Sequence, residues 1–329
     1  MNNKNKVAII GAGNLGIYLC ALYKNKGYDV TLFTDKEYTS NNIKIYSNGS
    51  MLYSEDIKIS KSKSISNFDL CIITYPVHIL RQRLSEYKIS DRILIYYIIG
   101  EGDISSLLKG YKNKIVVFSR VPAISRLIDQ NSANVNVKEQ DIVYTVLNGG
   151  NDTKIEAELN SVFDNRLLYC SNPAAITLTP TNQIIHTSRI YNLFKNNLHI
   201  DNDMYFYADW TDEDSQLLIA MSDEIHNCAE LLHISDYVPE VLNYYQCNDY
   251  KELTQKIRSI KSLSKIKLPI IVSLDGDYKY KLNVKSRYVV SDFDFGLRSI
   301  KELLNKYDLK SDSTQMILDW FDKNVKVNE

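Results

Sequence analysis

The sequence lacks a hydrophobic run of the length that a membrane-spanning helix needs, which is about twenty residues. The first residues, Met1–Lys6, are polar and lead directly into a predicted strand, so the hydrophobic segment of a secretory signal is also missing. The formal net charge is −1 and no basic run is present, which argues against nucleic acid or an anionic membrane as the main partner. These absences predict a cytoplasmic protein.

The sequence also lacks the signals of a metal site. It contains no C-x-x-C pair and no H-E-x-x-H motif, so no metal is predicted. Its five cysteines are scattered, and Cys20 and Cys71 lie in predicted core elements. Because buried, unpaired cysteines behave as small apolar side chains, we expect reduced thiols rather than disulfide bonds.

The most informative stretch that is present is a buried strand followed by a glycine-rich turn. The run Val7–Ile10 is apolar and mostly β-branched, as in strands covered on both faces of a parallel sheet. Gly11, Gly13 and Gly16 then complete G-x-G-x-x-G before a helical apolar pattern over 17–23. In such a unit the glycines permit a tight turn, the approach of a pyrophosphate to the backbone, and close packing of helix and strand. The stretch predicts a dinucleotide site, and the alternative is a glycine turn that binds no nucleotide.

Further residues refine this dinucleotide site. Asn14 and Leu15 lie inside the turn, where backbone N–H groups at the positive end of the helix would face the phosphates. A second predicted strand, 29–33, is followed by Asp35, at the position where an acidic residue binds the adenosine ribose and favours NAD. Lys36 could instead serve the 2′-phosphate of NADP. NAD is therefore the expected cofactor and NADP the alternative.

Strand-like and helical patterns alternate through the first half of the chain. Residues 36–66 are polar and irregular with short strand-like pieces, and a helix is expected from His78 to Tyr87. Further buried strands are predicted over 68–76, 93–99, 115–118 and 142–147. The alternation indicates an α/β fold with a doubly wound parallel sheet.

Ligands of such sheets bind beyond the carboxyl ends of the strands. Tyr75 and Pro76 follow a predicted strand directly, so we expect them to contact the cofactor. The same argument places Gly100-Glu101 and Ser119-Arg120 on the ligand side, without assigning them a role. Pro76 could also serve only to end its strand.

The pattern changes beyond about residue 172, where long helices dominate. Helical patterns are predicted over 184–198, 211–232, 237–246, 250–263, 297–307 and 313–325. Thr211 with the acids that follow it is typical of a helix start. We therefore expect a dinucleotide-binding Rossmann domain over 1–172 and a mostly α-helical domain over 173–329.

Five short motifs, in order along the chain, resemble those of the octopine/opine dehydrogenase family. They are Leu32–Asp35, Val121–Arg126, Asn182–His186, Ser222–Glu224 and Arg287–Leu297. Each motif is short, but the ordered set behind a nucleotide-binding unit is fairly specific. The resemblance implies an NAD(P)H-dependent enzyme that joins the amine of an amino acid to the carbonyl carbon of a 2-oxo acid and reduces the imine. Its partners would be these small molecules, and the sequence leaves open whether the chain forms a homodimer.

The same resemblance implies that His186 and Asp292 are the catalytic pair. Imine formation moves protons near neutral pH, which suits an imidazole with an ordinary pKa of about 6.5. A carboxylate on the other ring nitrogen would fix its tautomer and orientation. Without the resemblance, a histidine on an apolar helical face is more often a packed residue.

Three residues are predicted to bind substrate. Arg287 lies near Asp292 along the chain, and a guanidinium binds a carboxylate through two parallel hydrogen bonds. Asn182 lies one helical turn before His186 and could bind cofactor amide or substrate, or cap the helix. Arg126 comes from the Pro-x-x-x-Arg stretch of the resemblance. A structural ion pair is the alternative for Arg287.

The chain departs from the family pattern at two places, and other functions stay open. Thr187 stands where the family has proline, and Ser291–Asp294 stands where it has Glu-Asp-Val-Pro. One alternative is a reductase similar to ketopantoate or glycerol-3-phosphate reductases, which use a lysine, for which Lys195 is the nearest candidate. The other is a dinucleotide-binding protein without catalysis.

Overall fold

The structure is a computed structural model that describes residues 5–98, 100–137, 140–179, 182–273 and 278–326. The last residue of the strand predicted over 93–99 lies outside these residues. The chain divides into two units, one formed by residues 1–100 and 104–176 and the other by residues 101–103 and 177–329. The predicted boundary between residues 172 and 173 lies just before this division.

The first unit contains short helices and many strands. Its helices are α1 (Asn14–Asn25), α2 (Val77–Ser85), α3 (Ile104–Leu107) and α4 (Thr153–Val162), with α5 (Ala174–Thr177) at its end. Its strands are β1 (Lys6–Ile10), β2 (Asp29–Phe33), β3 (Asn42–Ser47), β4 (Ser50–Asp56), β5 (Lys58–Ser60), β6 (Ser64–Ile65), β7 (Leu70–Ile73), β8 (Lys88–Ile89), β9 (Leu94–Tyr97), β10 (Ile115–Phe118), β11 (Ala123–Leu127), β12 (Ser132–Val137), β13 (Ile142–Leu147) and β14 (Leu167–Tyr169).

The larger sheet of the described residues has eight strands in the order β14-β13-β10-β9-β7-β1-β2-β5. All neighbours pair in parallel except β10 and β13, which are antiparallel. The prediction of a parallel α/β sheet is therefore confirmed in the main and wrong at β13. The physical reason is the connection: β11 and β12 lead from β10 to β13, so no crossover helix forces a parallel return.

Strand β1 lies in the interior of this sheet, at the point where the strand order reverses. It pairs with β2 on one side and with β7 on the other. Residues 7–10 are completely buried, because both faces of the sheet are covered. The carboxyl ends of β1 and β7 therefore form the crevice at which sheets of this kind bind ligands.

The segment 36–66 contains the short strands that the sequence indicates, but it is more regular than predicted. It contains β3, β4, β5 and β6, and a second sheet has the order β11-β12-β3-β4. Strand β4 is mostly exposed, so its sequence lacks the alternation of apolar and polar residues that identifies a half-buried strand.

The second unit is mostly helical, as predicted. Its helices are α6 (Asn182–Phe194), α7 (Asp212–Leu231), α8 (Val241–Tyr245), α9 (Tyr250–Ser259), α10 (Arg287–Val290), α11 (Arg298–Lys306) and α12 (Asp312–Asn324), with a π-helical segment over Asp292–Leu297. A small sheet contains β15 (His199–Ile200), β16 (Ile270–Val272) and β17 (Tyr280–Leu282). The helix predicted over 237–246 is shorter, because a proline disfavours helical geometry in the residue before it and α8 begins only after Pro239.

Two buried acids connect these helices. Asp214 forms a reciprocal capping box with Thr211 at the start of α7 and also pairs with the buried guanidinium of Arg189 on α6. Glu224 on α7 accepts hydrogen bonds from the backbone N–H groups of Ser313 and Thr314, so its carboxylate caps the start of α12. The Ser222–Glu224 motif thus includes a contact between helices.

No helix among the described residues combines the length and the apolar character that crossing a bilayer requires.

Candidate functional site

The glycine turn joins β1 to α1 with very close backbone packing. A Cβ atom at Gly16 would lie 1.8 Å from the carbonyl oxygen of Gly11, so only glycine fits there. A Cβ atom at Gly13 would meet nothing within 4 Å, so the approach to this backbone is open. The three glycines therefore have the separate positions that a pyrophosphate-binding turn requires.

Neighbouring residues hold this turn. Thr74, at the end of β7, donates from Oγ1 to the carbonyl oxygens of Ile10 at 3.0 Å and Gly11 at 3.2 Å. The ring of Tyr75 lies 3.5 Å from the position of a Cβ at Gly11, and Pro76 is the residue before α2. Tyr75 thus lies beside the turn, and the cofactor contacts of Tyr75 and Pro76 stay predictions.

Asn14 and Leu15 begin α1. The side-chain oxygen of Asn14 accepts a hydrogen bond of 2.8 Å from the backbone N–H of Leu127, and Leu15 is buried. Gly13, before the helix, provides no side-chain cap, so the first N–H groups of α1 have no side-chain partner from that position. The open approach at Gly13 and this helix end fit the pyrophosphate of a dinucleotide.

The acidic residue expected at the ribose carries a cationic neighbour. Asp35 is exposed beyond β2, and Lys63 Nζ lies 2.9 Å from its carboxylate. The hydrogen bond from Lys63 lowers the pKa of Asp35 below its ordinary value. Lys36 Nζ donates to the carbonyl oxygen of Ala12 in the glycine turn at 3.1 Å. An acid and two lysines therefore lie near the turn, and their part in the choice between NAD and NADP stays a prediction.

The second unit brings His186 and Asp292 together, although 106 residues separate them in the chain. Nδ1 of His186, on α6, lies 2.6 Å from Oδ2 of Asp292, at the start of the π-helical segment. Nε2 of the same ring lies 2.8 Å from the hydroxyl of Tyr207. Since a carboxylate only accepts, Nδ1 donates to Asp292 and Nε2 accepts from Tyr207.

Aromatic rings enclose this imidazole. The ring centroids of His186 and Tyr288 lie 4.2 Å apart, and those of His186 and Phe206 lie 5.1 Å apart. His186 is 2% exposed and Asp292 is 0% exposed. The pair is therefore held in surroundings that contain little water, where its electrostatic interactions are strong.

Burial determines the charge of the pair. Burial first and the charge of Arg287 second, against the opposing charge of Glu101, lower the pKa of His186 to about 3. Burial raises the pKa of Asp292 to about 7, against a hydrogen bond with Glu101 and the charge of Arg287. The imidazole is thus neutral near pH 7 and able to accept a proton at Nε2.

The predicted substrate residues differ in their surroundings. Arg287 begins α10 and is exposed, and within the described part of the chain no hydrogen bond or ion pair involves its guanidinium. Asn182 begins α6, one turn before His186. Arg126 is exposed on β11 in the first unit, where it donates to the carbonyl oxygen of Ser125 at 3.2 Å. Their roles in binding stay predictions.

Three residues of this cluster received no role from the sequence. Glu101 contacts Asp292, Tyr207 contacts Nε2 of His186, and Tyr288 packs on its ring. An acidic residue directly after a buried strand was the available signal for Glu101. Nothing local in the sequence distinguishes the two tyrosines from the other twenty-two.

Metal ligands are not clustered here: among the described residues, no three His, Cys, Asp or Glu side chains lie where they could hold an ion.

A Rossmann-type first unit with a pyrophosphate-binding turn, followed by a helical unit with a buried histidine–carboxylate pair, defines an NAD(P)-dependent oxidoreductase fold. The comparisons with known proteins specify it further. Residues 169–324 match the family described as NAD/NADP octopine/nopaline dehydrogenase, alpha-helical domain. Residues 7–88 match ketopantoate reductase PanE/ApbA. The resemblance predicted from the sequence motifs is confirmed by the first of these matches.

Solved structures give the same result for the fold. Octopine dehydrogenase, described with NADH and L-arginine, is 16% identical with a TM-score of 0.81, over 98% of this chain and 90% of that chain. Yersinopine dehydrogenase is 14% identical with a TM-score of 0.71, over 99% of this chain and 92% of that chain. The 2-dehydropantoate 2-reductase from Methylococcus capsulatus is 12% identical with a TM-score of 0.66, over 98% of this chain and 97% of that chain. A sequence search of curated proteins finds no relative of the chain.

Proposed function

We propose that the chain is an NAD(P)H-dependent dehydrogenase of the opine type, which condenses an amino acid with a 2-oxo acid and reduces the imine. The observation that carries the proposal is the buried contact of 2.6 Å between His186 and Asp292, with an exposed guanidinium at Arg287. The match of residues 169–324 to the octopine/nopaline dehydrogenase domain supports the same reaction.

His186 is the acid–base residue of this proposal. Its neutral imidazole takes a proton at Nε2 from the ammonium group of the amino acid, which frees the amine to attack the carbonyl carbon of the oxo acid. After the attack, a proton passes from the attacking nitrogen to the carbonyl oxygen, which becomes the hydroxyl of a carbinolamine. The imidazolium, stabilised by the Asp292 carboxylate at Nδ1, then returns its proton to this hydroxyl, which leaves as water while the nitrogen forms the double bond of the imine. A group of this kind contributes about 10²–10⁴ in rate.

The remaining residues bind and orient. Arg287 binds a substrate carboxylate through a bidentate pair, which both substrates can provide. The glycine turn and the N-terminus of α1 bind the pyrophosphate of the dinucleotide, which supplies the hydride when bound. Tyr207 gives up its hydrogen bond to Nε2 when the substrate ammonium arrives.

The test uses the full chain with NADH or NADPH, pyruvate and each of the common amino acids. We expect oxidation of the reduced cofactor only when both substrates are present, with a product whose mass equals their sum minus water plus two hydrogens. His186→Gln keeps a polar side chain of similar size and is expected to bind cofactor normally while losing turnover. Binding of the cofactor without oxidation for any pair would contradict the proposal.

The lysine-dependent reductases are the second candidate, because residues 7–88 match the ketopantoate reductase description. Lys195 follows α6, is exposed, and donates to Oδ1 of Asn192 at 3.4 Å. That contact lies within one turn of its own helix, and no contact with the His186 cluster is seen for it among the described residues. Reduction of a 2-oxo acid without any amine, abolished in Lys195→Ala but not in His186→Gln, would favour this candidate.

A further inference from the structure

Residues 101–103 belong to the second unit, and hydrogen bonds of their backbone hold them within it. The carbonyl oxygen of Gly102 accepts a hydrogen bond of 3.0 Å from Oγ1 of Thr177, and the backbone N–H of Asp103 donates to Oγ of Ser299 at 3.0 Å. Gly102 has a φ of +75°, and a Cβ there would lie 2.5 Å from the carbonyl oxygen of Phe295. Glu101, the preceding residue, is therefore placed by contacts that a change of side chain at 101 leaves intact.

The carboxyl group of Glu101 is directed at Asp292. Glu101 is 7% exposed, and its side chain forms a hydrogen bond with the carboxyl group of Asp292. Asp292 uses Oδ2 for His186, and no N–H or hydroxyl of the described residues donates to its buried Oδ1. Two carboxyl groups can form a hydrogen bond only when one of them carries a proton.

We infer that Glu101 holds a proton that it shares with Asp292, and that this makes Glu101 a positioning residue for the His186–Asp292 pair. The inference deepens the proposed function, and its catalytic part rests on that function. The pair of carboxyl groups then carries one negative charge rather than two. Asp292 then accepts hydrogen bonds from two groups, the imidazole of His186 and the carboxyl group of Glu101.

The charged and titratable groups around Glu101 agree with one proton and one negative charge on the two carboxyl groups. They are Asp292, His186 and Arg287. Burial and the neighbouring Asp292 carboxylate raise the pKa of Glu101 well above its ordinary value, and Arg287 and His186 oppose the shift. The hydrogen bond with Glu101 acts to lower the pKa of Asp292. Asp292 Oδ2 already accepts the hydrogen bond of His186 Nδ1 at 2.6 Å, so the shared proton lies on Glu101 and Asp292 keeps the charge that stabilises an imidazolium.

The direct test is a carbon-13 NMR titration of the full chain labelled at the glutamate carboxyl carbons, from about pH 5 to about pH 9. We expect one signal to keep the shift of a protonated carboxyl group at about pH 7, where glutamates with an ordinary pKa of about 4.3 are ionised. Glu101→Gln should remove that signal. A Glu101 signal at the ionised position at pH 7 overturns the inference.

Two further variants make the assignment secure. Glu158 on α4 is a half-buried glutamate whose pKa burial also raises, and Glu158→Gln is the matched control because it removes a different signal. If Glu101→Gln fails to fold, Asp292→Asn replaces it. Loss of the neighbouring charge then shifts the Glu101 titration to lower pH and leaves that of Glu158 in place, whereas an unmoved titration overturns the inference.

Kinetics provide a readout that a merely structural role does not move. Glu101→Gln keeps an N–H donor for Asp292, so kcat should stay within about tenfold of wild type. Glu101→Met removes the donor, and kcat should fall about 10²-fold with little change in KM. Equal loss in both variants contradicts a role as hydrogen-bond donor. Because the NMR experiment needs no substrate, a protonated Glu101 in a protein without opine activity would contradict the proposed function alone.

Discussion

Lys63 Nζ lies 2.9 Å from Oδ2 of Asp35, so the carboxylate expected at the adenosine ribose already has a cationic partner. Lys63 also contacts Glu86 at 3.3 Å, and Lys36 lies across the glycine turn. Asp35 is thus an acid with one lysine paired to it and another nearby at the glycine turn.

This arrangement makes cofactor preference depend on one charge. Asp35→Asn removes the carboxylate that repels a 2′-phosphate, and the positive charges of Lys36 and Lys63 stay beside it. We expect the Kd for NADPH to fall relative to that for NADH by about tenfold, since like charges in contact cost more than 1 kcal/mol. Titration calorimetry with both cofactors measures the ratio. Glu37→Gln, nearby and paired with Lys61, is the control and should leave the ratio unchanged.

Arg287 should determine the affinity for the substrate carboxylate. Arg287→Met removes the guanidinium, and we expect KM for the 2-oxo acid to rise about 10-fold to 100-fold, the value of one charged hydrogen-bonded pair. Arg287→Lys keeps the charge without the bidentate geometry, so its KM should lie between those of the wild type and Arg287→Met. Steady-state kinetics measure both. Lys285→Met, at an exposed residue two positions earlier, should change KM little. An equal effect at both positions would indicate a general charge effect.

The two glycines of the turn should respond differently to the same methyl group. Gly16→Ala forces a Cβ against the carbonyl oxygen of Gly11, so we expect a loss of stability of about 1–3 kcal/mol or more. Gly13→Ala meets no protein atom, so its Tm should stay near that of wild type. Its Kd for NADH should rise at least about tenfold, because the methyl group occupies the approach of the pyrophosphate. Thermal unfolding and calorimetry separate the two effects.

Stability should depend on pH through Glu101. Its pKa is raised, so the folded chain keeps a proton that the unfolded chain releases above about pH 4.3. The free energy of unfolding therefore falls as pH rises, by up to about 1.4 kcal/mol per pH unit from this group. Relative to Glu101→Gln, the wild type should lose stability between about pH 5 and about pH 7 in urea unfolding. Glu302→Gln changes an exposed glutamate on α11. The difference in the free energy of unfolding between this variant and the wild type should not change with pH.

The parts of the fold that could be predicted from the sequence are those whose signal is local. The first strand, the glycine turn and α1 are consecutive, and each glycine has a steric reason in the structure. Strand β4 gave no signal because it is exposed, and β13 could not be recognised as antiparallel, because strand direction depends on the connection rather than on the residues of the strand.

The site shows the same limit. His186 and Asp292 were named from a family resemblance, and their contact depends on helices that are distant in the chain. Glu101 was predicted to lie on the ligand side, but its partner is known only once the backbone of residues 101–103 is placed. Tyr207 gave no signal, because its hydroxyl matters only through its distance of 2.8 Å from Nε2 of His186.

The tripeptide Gly100-Glu101-Gly102 has a consequence for the comparison of homologous sequences. A Cβ at Gly100 would lie 2.2 Å from the carbonyl oxygen of Phe118, and one at Gly102 would lie 2.5 Å from that of Phe295. Neither flank tolerates a side chain, so an acid lost at the middle position cannot be replaced by one at an adjacent position. A Gly-Glu-Gly tripeptide after a buried strand can therefore be sought in the sequences of distant homologues. Those that have it keep a glutamate that can hold a proton next to the histidine–aspartate pair, and those that lack it do not.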